Sequence, residues 1–160
     1  PYFRMVDKNR KRLEDFFTGT VSRTSTIEDT AEFLEELMLR IENKSYYPYL
    51  IIEEHTGEFV GFIDVKNIDW HIPKAELGFY MDENYAGQGI CKKALTLIMN
   101  NLLNEMNFHK LFLRTHPTNE AARKLAAACG FQIEGTIRQD YKTTKGDLVD
   151  LIYYGKLKGE

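Results

Sequence analysis

Long apolar runs are absent from this chain. Nothing in it approaches the ~20 consecutive apolar residues that span a bilayer, and no signal-peptide pattern opens it, so no membrane association is expected. Cysteine is scarce as well. Cys91 and Cys129 have neither metal-ligand spacing nor the numbers for a disulfide framework, which predicts a reducing, cytoplasmic setting. His55, His71, His109 and His116 include no HExxH or other ligand spacing, and no metal is expected. An excess of positive charge is missing too. The 21 basic and 24 acidic side chains leave a net charge of −3, which argues against nucleic acid as a general partner.

What is present suits an ordinary globular protein: 43% hydrophobic and 28% charged residues in a chain of 160, with no internal repeat and no low-complexity linker. The expectation is one domain spanning residues 1–160, long enough to bury a core.

The most informative stretch is Glu76–Leu95, ELGFYMDENYAGQGICKKAL. Leu77, Phe79 and Met81 alternate as in a strand, and apolar residues return at helical spacing from Ile90 through Ala94, Leu95, Ile98 and Leu102. Between them lies Asn84-Tyr85-Ala86-Gly87-Gln88-Gly89. Strand, glycine turn and helix in that order make an anion site, because the first helical turn leaves backbone N–H groups unpaired at the positive end of the dipole. Glycines at the turn let a phosphate approach the backbone closely. A dinucleotide fingerprint would need a third glycine where the chain has Lys92, and no GKS or GKT exists for a P-loop.

About thirty residues on, HPTNEAARKLAAACGFQIEGTIR runs from His116 to Arg138. Together the two stretches resemble the paired signatures of the GNAT family of acetyl-CoA-dependent N-acetyltransferases, Q/R-x-x-G-x-G/A and N-x-x-S with a following Gly-Phe. Gly87, Gly89, Asn119, Gly130 and Phe131 match, whereas Asn84 and Ala122 stand where the family has Gln or Arg and Ser. Asn9-Arg10, Ile68-Asp69-Trp70, the acid of AELGFYM and Glu134–Arg138 resemble the RimJ/RimL-like branch, which acetylates ribosomal-protein N-termini. The resemblance covers nearly the whole chain.

The remaining elements follow from local pattern. Residues 1–17 read as a helix, 19–24 as a polar connection, and Ser25 with Glu28 as a capping box opening a helix that carries Ala31, Leu34, Leu37, Met38 and Ile41 on one face. Residues 47–53 and 58–67 read as a hairpin, 110–115 as a strand, 119–129 as a helix stopped by Gly130, and 131–141 and 147–156 as two last strands turned at Lys145-Gly146. The fold class expected is α/β (α+β). The resemblance implies three layers, a mixed and mostly antiparallel sheet of six to seven strands with helices on both faces, and central parallel strands splayed around the cofactor. Because the family usually opens on a strand, an edge strand of roughly a dozen residues is expected ahead of Pro1.

Resemblance also assigns roles. Amine acetylation needs a neutral nucleophile, so a base must take a proton; Glu76 stands where RimL-like enzymes place their acid. A bulge in this strand is expected to free backbone donors near Tyr80 and Met81 for the thioester carbonyl. With Ala122 in place of serine, Tyr141 or water is left to protonate the departing thiolate. The cofactor set comprises Phe79, Tyr80, Met81, Asn84, Gly87, Gln88, Gly89, Ile90, Cys91, Lys92 and Asn119; Asp69 and Trp70 are candidates for the acceptor wall. Cys91 lies in the first helical turns, where a thiolate is favoured, which opens a covalent acetyl-cysteine route that direct transfer does not need.

The function expected is acetyl transfer from acetyl-CoA to a primary amine in a ternary complex, most simply a protein N-terminus. A small amine such as a polyamine or aminoglycoside is the alternative acceptor, and a non-catalytic acyl-CoA sensor the alternative class. Homodimerisation is left open.

Overall fold

The structure, a computed structural model, describes Pro1–Glu160. Three helices come first: α1 (Tyr2–Leu13), α2 (Thr18–Ser22) and α3 (Ile27–Glu42). They are followed by β1 (Tyr47–Ile52), β2 (Phe59–Asp69), β3 (Lys74–Met81), α4 (Ile90–Asn100), β4 (Lys110–Thr115), α5 (Glu120–Ala128), β5 (Gln132–Lys142) and β6 (Leu148–Leu157). The six strands form one sheet in the order β1-β2-β3-β4-β6-β5. Every neighbouring pair is antiparallel except β3 and β4. This is the mixed sheet with helices on both faces that the sequence led us to expect.

Strand alternation sorts the two faces. Ile63, Val65, Ala75, Leu77, Leu111 and Leu113 face α4 and α5 and join a core of 16 buried residues with Phe108 and Leu95 inside it. The opposite face lies under α1–α3, where Met5, Val6, Leu13, Leu37, Tyr46, Phe62 and Tyr80 belong to a second core of eight. The residues that continue this face away from the second core are polar: Asp64 and Lys66 on β2, Glu76 on β3 and Arg114 on β4. On a face otherwise covered by helices, polar side chains mark a place where the helices do not close.

The helical region departs from the sequence reading in three ways. The first helix ends at Leu13, because Phe17 leaves helical geometry (φ −133°, ψ 50°) and turns its ring edge-on to Tyr80 at 5.2 Å. The stretch 19–24, expected as a connection, is helical through Ser22 as part of the short helix α2, which is tied down where the Thr18 amide donates to the Tyr141 hydroxyl at 2.6 Å. The capping box is shifted by one residue. Thr26 accepts from the Asp29 amide at 3.0 Å and Asp29 accepts from the Thr26 amide at 3.1 Å, so the box closes on Asp29 and Glu28 takes no part. The packed face of α3 is consequently Thr30, Phe33, Leu37 and Ile41, and Met38, expected to face inward, is 57% exposed.

The feature that positions the site is the divergence of β3 and β4. Their parallel pairing covers only Lys74–Lys110, Ala75–Leu111 and Glu76–Phe112; beyond Glu76 the strands part. β3 keeps an unbroken register with β2 from Glu76 to Met81, the only irregularity lying between Lys66 and Asp69. The bulge expected near Tyr80 and Met81 is therefore absent, and the splay itself frees the donors.

Candidate active site

Two cavities meet at this splay. The larger, about 770 Å³, runs between β3 and the start of α4 on one side and α5 on the other. The smaller, about 350 Å³, lies under α1–α3 against the polar strip of the sheet. Phe16, Phe17, Phe79, Asn119 and Ala122 line both.

The larger cavity ends on the glycine turn. Asp82 accepts from the Asn84 amide at 2.9 Å and holds residues 83–85 in a single 3₁₀ turn, and the chain then passes through Gly87 and Gly89 at φ +76° and +78°. That left-handed region is closed to most side chains, which is why the turn is built from glycine. Helices α3 and α5 are each capped by a side chain, Thr26 and Asn119 respectively, but α4 begins at Gly89 with no side-chain cap. Its first intrahelical bond found beyond the cap runs from Lys93 N–H to Gly89 C=O, leaving the amides of Ile90, Cys91 and Lys92 without helical partners. Those donors, the positive dipole end and the Lys92 side chain fit a pyrophosphate.

Along β3, the Asp82 amide bonds the Val60 carbonyl on β2 at 2.8 Å. By the two-residue alternation of an antiparallel ladder, the amide of Tyr80 also faces β2, whereas those of Phe79 and Met81 face the splay. The donors expected at Tyr80 and Met81 are thus at Phe79 and Met81. Arg12 already donates to the Met81 carbonyl on that open side.

Glu76 is buried and lines the smaller cavity. Its Oε1 accepts from Arg114 Nε at 3.0 Å, and its Oε2 from Arg114 Nη2 at 3.1 Å and Asn67 Nδ2 at 2.6 Å. Arg114 continues the chain to Asp140 and to the Tyr153 hydroxyl, each at 3.3 Å. Burial works against the Arg114 charge, but the bond to Glu76 outweighs it and holds the guanidinium above its usual range. The carboxylate expected to act as a base is held fast on both oxygens.

Tyr141 also lines the smaller cavity, but its proton is committed: the hydroxyl donates to Thr18 Oγ1 at 2.6 Å while accepting from the Thr18 amide. Asn119 spends Oδ1 on the Ala122 amide at 3.2 Å, which leaves its NH₂ available in the wall shared by the cavities. Burial pushes the Cys91 thiol up to about 12, which opposes the thiolate that helix position alone would favour.

Of the cofactor residues expected from sequence, Phe79, Tyr80, Met81, Gly87, Gly89, Ile90, Cys91, Lys92 and Asn119 line the larger cavity. Asn84 and Gln88 do not; they bond each other, Gln88 Nε2 donating to the Asn84 carbonyl at 2.8 Å. Asp69 and Trp70 lie beyond the far end of β3 and line neither cavity. Asp69 accepts from the amides of His71 and Ile72 in a tight turn, while Trp70 packs on Phe108 and donates to the Lys44 carbonyl. Sequence reasoning passed over Arg12, Phe16, Phe17, Asp64, Lys66 and Arg114. Arg114 did leave a signal, a charge at the third alternate position of KLFLRT, but its partner is set by the parallel register.

Asp82 offers a check on the turn. Burial opposes its charge, yet Lys8 at 2.8 Å, the Asn84 amide and Asn9 hold the carboxyl below its usual range. A carboxyl depressed in the folded state stabilises above its unfolded pKa and loses that contribution as pH falls through the folded one. Thermal melts should therefore show stability declining below about pH 4, and Asp82→Asn, less stable at neutral pH, should decline less steeply over the same interval.

Comparison with known proteins places the fold and the turn in context. The family description "Acetyltransferase (GNAT) domain" matches residues 2–132. The chain is similar to the uncharacterized N-acetyltransferase p20 of Bacillus licheniformis, at 30% identity over 112 residues, 70% of this chain and 62% of that protein's length. It is 23% identical to the ribosomal-protein-serine acetyltransferase of Escherichia coli (strain K12), over 87% of this chain and 76% of that one. The solved structure of RimL, a ribosomal L7/L12 alpha-N-protein acetyltransferase in complex with coenzyme A, superposes with a TM-score of 0.90 at 22% identity, covering 97% of this chain and 85% of that one.

Proposed function

Because the chain belongs to the GNAT acetyltransferase family, we propose that it transfers the acetyl group of acetyl-CoA directly to a primary amine, most simply the N-terminal α-amine of a protein. The observation that carries this reading is the uncapped start of α4 opening into a cleft that merges with a second cavity at the β3/β4 splay. Acetyl-CoA supplies the activated acyl group. The residues of the chain supply the rest: amides 90–92 and Lys92 take the pyrophosphate, the Phe79 and Met81 amides face the thioester, and the smaller cavity receives the amine.

The state of Glu76 supports an α-amine over a polyamine. Both of its oxygens are engaged, by two bonds from the Arg114 guanidinium and one from Asn67, so taking a proton from the acceptor would compete with that pairing. An α-amine, with a pKa near ~7.7–8, is substantially neutral at physiological pH without a strong base, whereas an alkyl amine near ~10.4 is not. Likeness to ribosomal-protein acetyltransferases points the same way.

Release of CoA thiol should be measured with acetyl-CoA against alanyl and seryl peptides, spermidine and an aminoglycoside. Turnover of the peptides, with rates following the neutral fraction of the α-amine as pH rises through 7–8, is expected. Preferential turnover of spermidine or the aminoglycoside would shift the acceptor to small amines. Acetyl-CoA binding without turnover of any amine would favour the sensor reading.

A further inference from the structure

The strip of the sheet under α1–α3 holds two carboxylates in opposite states. Glu76 is held on both oxygens by three hydrogen bonds, as described above. Asp64, directly across β2–β3 from Gly78, is not. Its Oδ2 accepts from the Tyr46 hydroxyl at 3.1 Å, but Oδ1 is buried with no hydrogen-bond partner. The charge nearest to it is Lys66 Nζ, 3.4 Å away, close enough for attraction yet misaligned for a hydrogen bond. Both groups lie against the backbone of Gly78, where any side chain would run into the Asp64 carboxylate and the Lys66 ammonium. Gly78 therefore keeps open a space that one flexible cation fills poorly.

That space belongs to the smaller cavity, whose wall includes Asp64, Lys66, Gly78 and Phe79. Phe79 is also shared with the larger cavity and carries one of the two amides that face the splay. The surroundings are aromatic. Tyr2 from α1, Tyr46 ahead of β1 and Tyr80 from β3 surround the carboxylate, and burial raises the pKa of all three hydroxyls, that of Tyr2 to about 12. Arg40 from α3 lies over the Tyr46 ring at 4.6 Å. A partly unsatisfied carboxylate in such a setting favours a cation that can align its N–H groups.

We propose that Asp64 is the recognition group for the acceptor, receiving its ammonium in the place that the ammonium of Lys66 takes in the free protein; docking there selects the acceptor, and attack follows only from the fraction that has lost its proton to solvent. Lys66 is a built-in competitor: an entering amine displaces its head group, and Lys66 swings out along the open mouth of the cavity. This deepens the proposed function and rests on it. It assigns the discrimination between cationic amines and neutral analogues to Asp64 and leaves Glu76 and Arg114 as the rigid wall beside it.

The two side chains are predicted to act in opposite directions. Binding of an alanyl peptide amide, and of its des-amino analogue, should be measured by calorimetry on the CoA-loaded protein for wild type, Asp64→Asn and Lys66→Met. In Asp64→Asn, which keeps the shape and the Tyr46 contact, the alanyl peptide should bind roughly 10- to 100-fold more weakly and its advantage over the des-amino analogue should collapse. In Lys66→Met, which keeps the aliphatic stem, it should bind roughly three- to tenfold more tightly, because the competitor is gone. Lys66→Met should also melt at a lower temperature, since Asp64 loses its nearest cation. A pair that only supports the fold would weaken binding in both variants, and that result would overturn the proposal. So would weaker binding in Lys66→Met alone, which would mean that Lys66 holds an anionic group of the acceptor. Equal affinity of wild type for the amine and the des-amino analogue would sink it as well. Failure of the family-based reading would show separately, as loss of CoA binding by the wild type.

Discussion

Arg114→Met is expected to be the most destabilising single change in the candidate site. The Glu76 side chain is 7% exposed, and Arg114 supplies two of its three hydrogen bonds. Methionine retains the aliphatic bulk but leaves a buried carboxylate held by Asn67 alone. Removing one member of a buried ion pair costs about 3–5 kcal/mol, because the remaining charge stays desolvated without compensation. For a protein of this size each kcal/mol corresponds to about 2–4 °C, so the melting temperature should fall by about 6–20 °C. The loss also unties Asp140 and Tyr153, which are left bonded to each other at 2.7 Å. The double variant Glu76→Gln/Arg114→Met removes the orphaned charge together with its partner and should recover part of the loss, as calorimetry would show. A drop below about 1 kcal/mol in Arg114→Met would place the pair among solvent-screened surface bridges and would reopen Glu76 as a free base.

The second large effect concerns binding. Gly89→Val should leave a folded protein that binds acetyl-CoA on the order of 100-fold more weakly, through the loss of one or two charge-assisted hydrogen bonds. No atom within 4 Å would obstruct a Cβ at Gly89, so crowding by the protein is not the cause. The cause is conformational. At φ +78° a β-branched residue is strained by about 1–3 kcal/mol, and relaxing that strain would turn the amides of Ile90 and Cys91 away from their common direction. The added side chain would also stand where the phosphate approaches. Calorimetric titration with acetyl-CoA, with a melt as a control for folding, tests this directly. Near wild-type affinity would show that the pyrophosphate does not rest on the α4 start.

The two effects differ in how far they were legible beforehand. The glycine turn announces itself locally, because only glycine tolerates the left-handed backbone and because alternation before it and helical spacing after it lie in one stretch of chain. The strand Lys110–Thr115 and the helix that starts at Asn119 were legible for the same reason. The capping box slipped by one residue because Ser25-Thr26 and Glu28-Asp29 offer two equivalent pairings, and packing of Phe33 and Leu37 against the sheet chose between them. The resemblance singled out Glu76, which lines the smaller cavity; the state of its carboxylate depended on Arg114, 38 residues away.

By itself the sequence determined the elements whose cause is local: the strands, the turn at Gly87–Gly89, the helices that follow, and with them membership of a family. Tertiary structure alone decided which charges meet. The parallel register of β3 and β4 stops at Glu76 and Phe112, so the strands part there and Arg114 reaches back to lock the carboxylate. The antiparallel register of β2 and β3 sets Asp64 over Gly78, with a lone pair left unfilled. Strand propensity is a property of neighbours along the chain, whereas a buried charge takes its character from whatever the fold brings within a few ångströms.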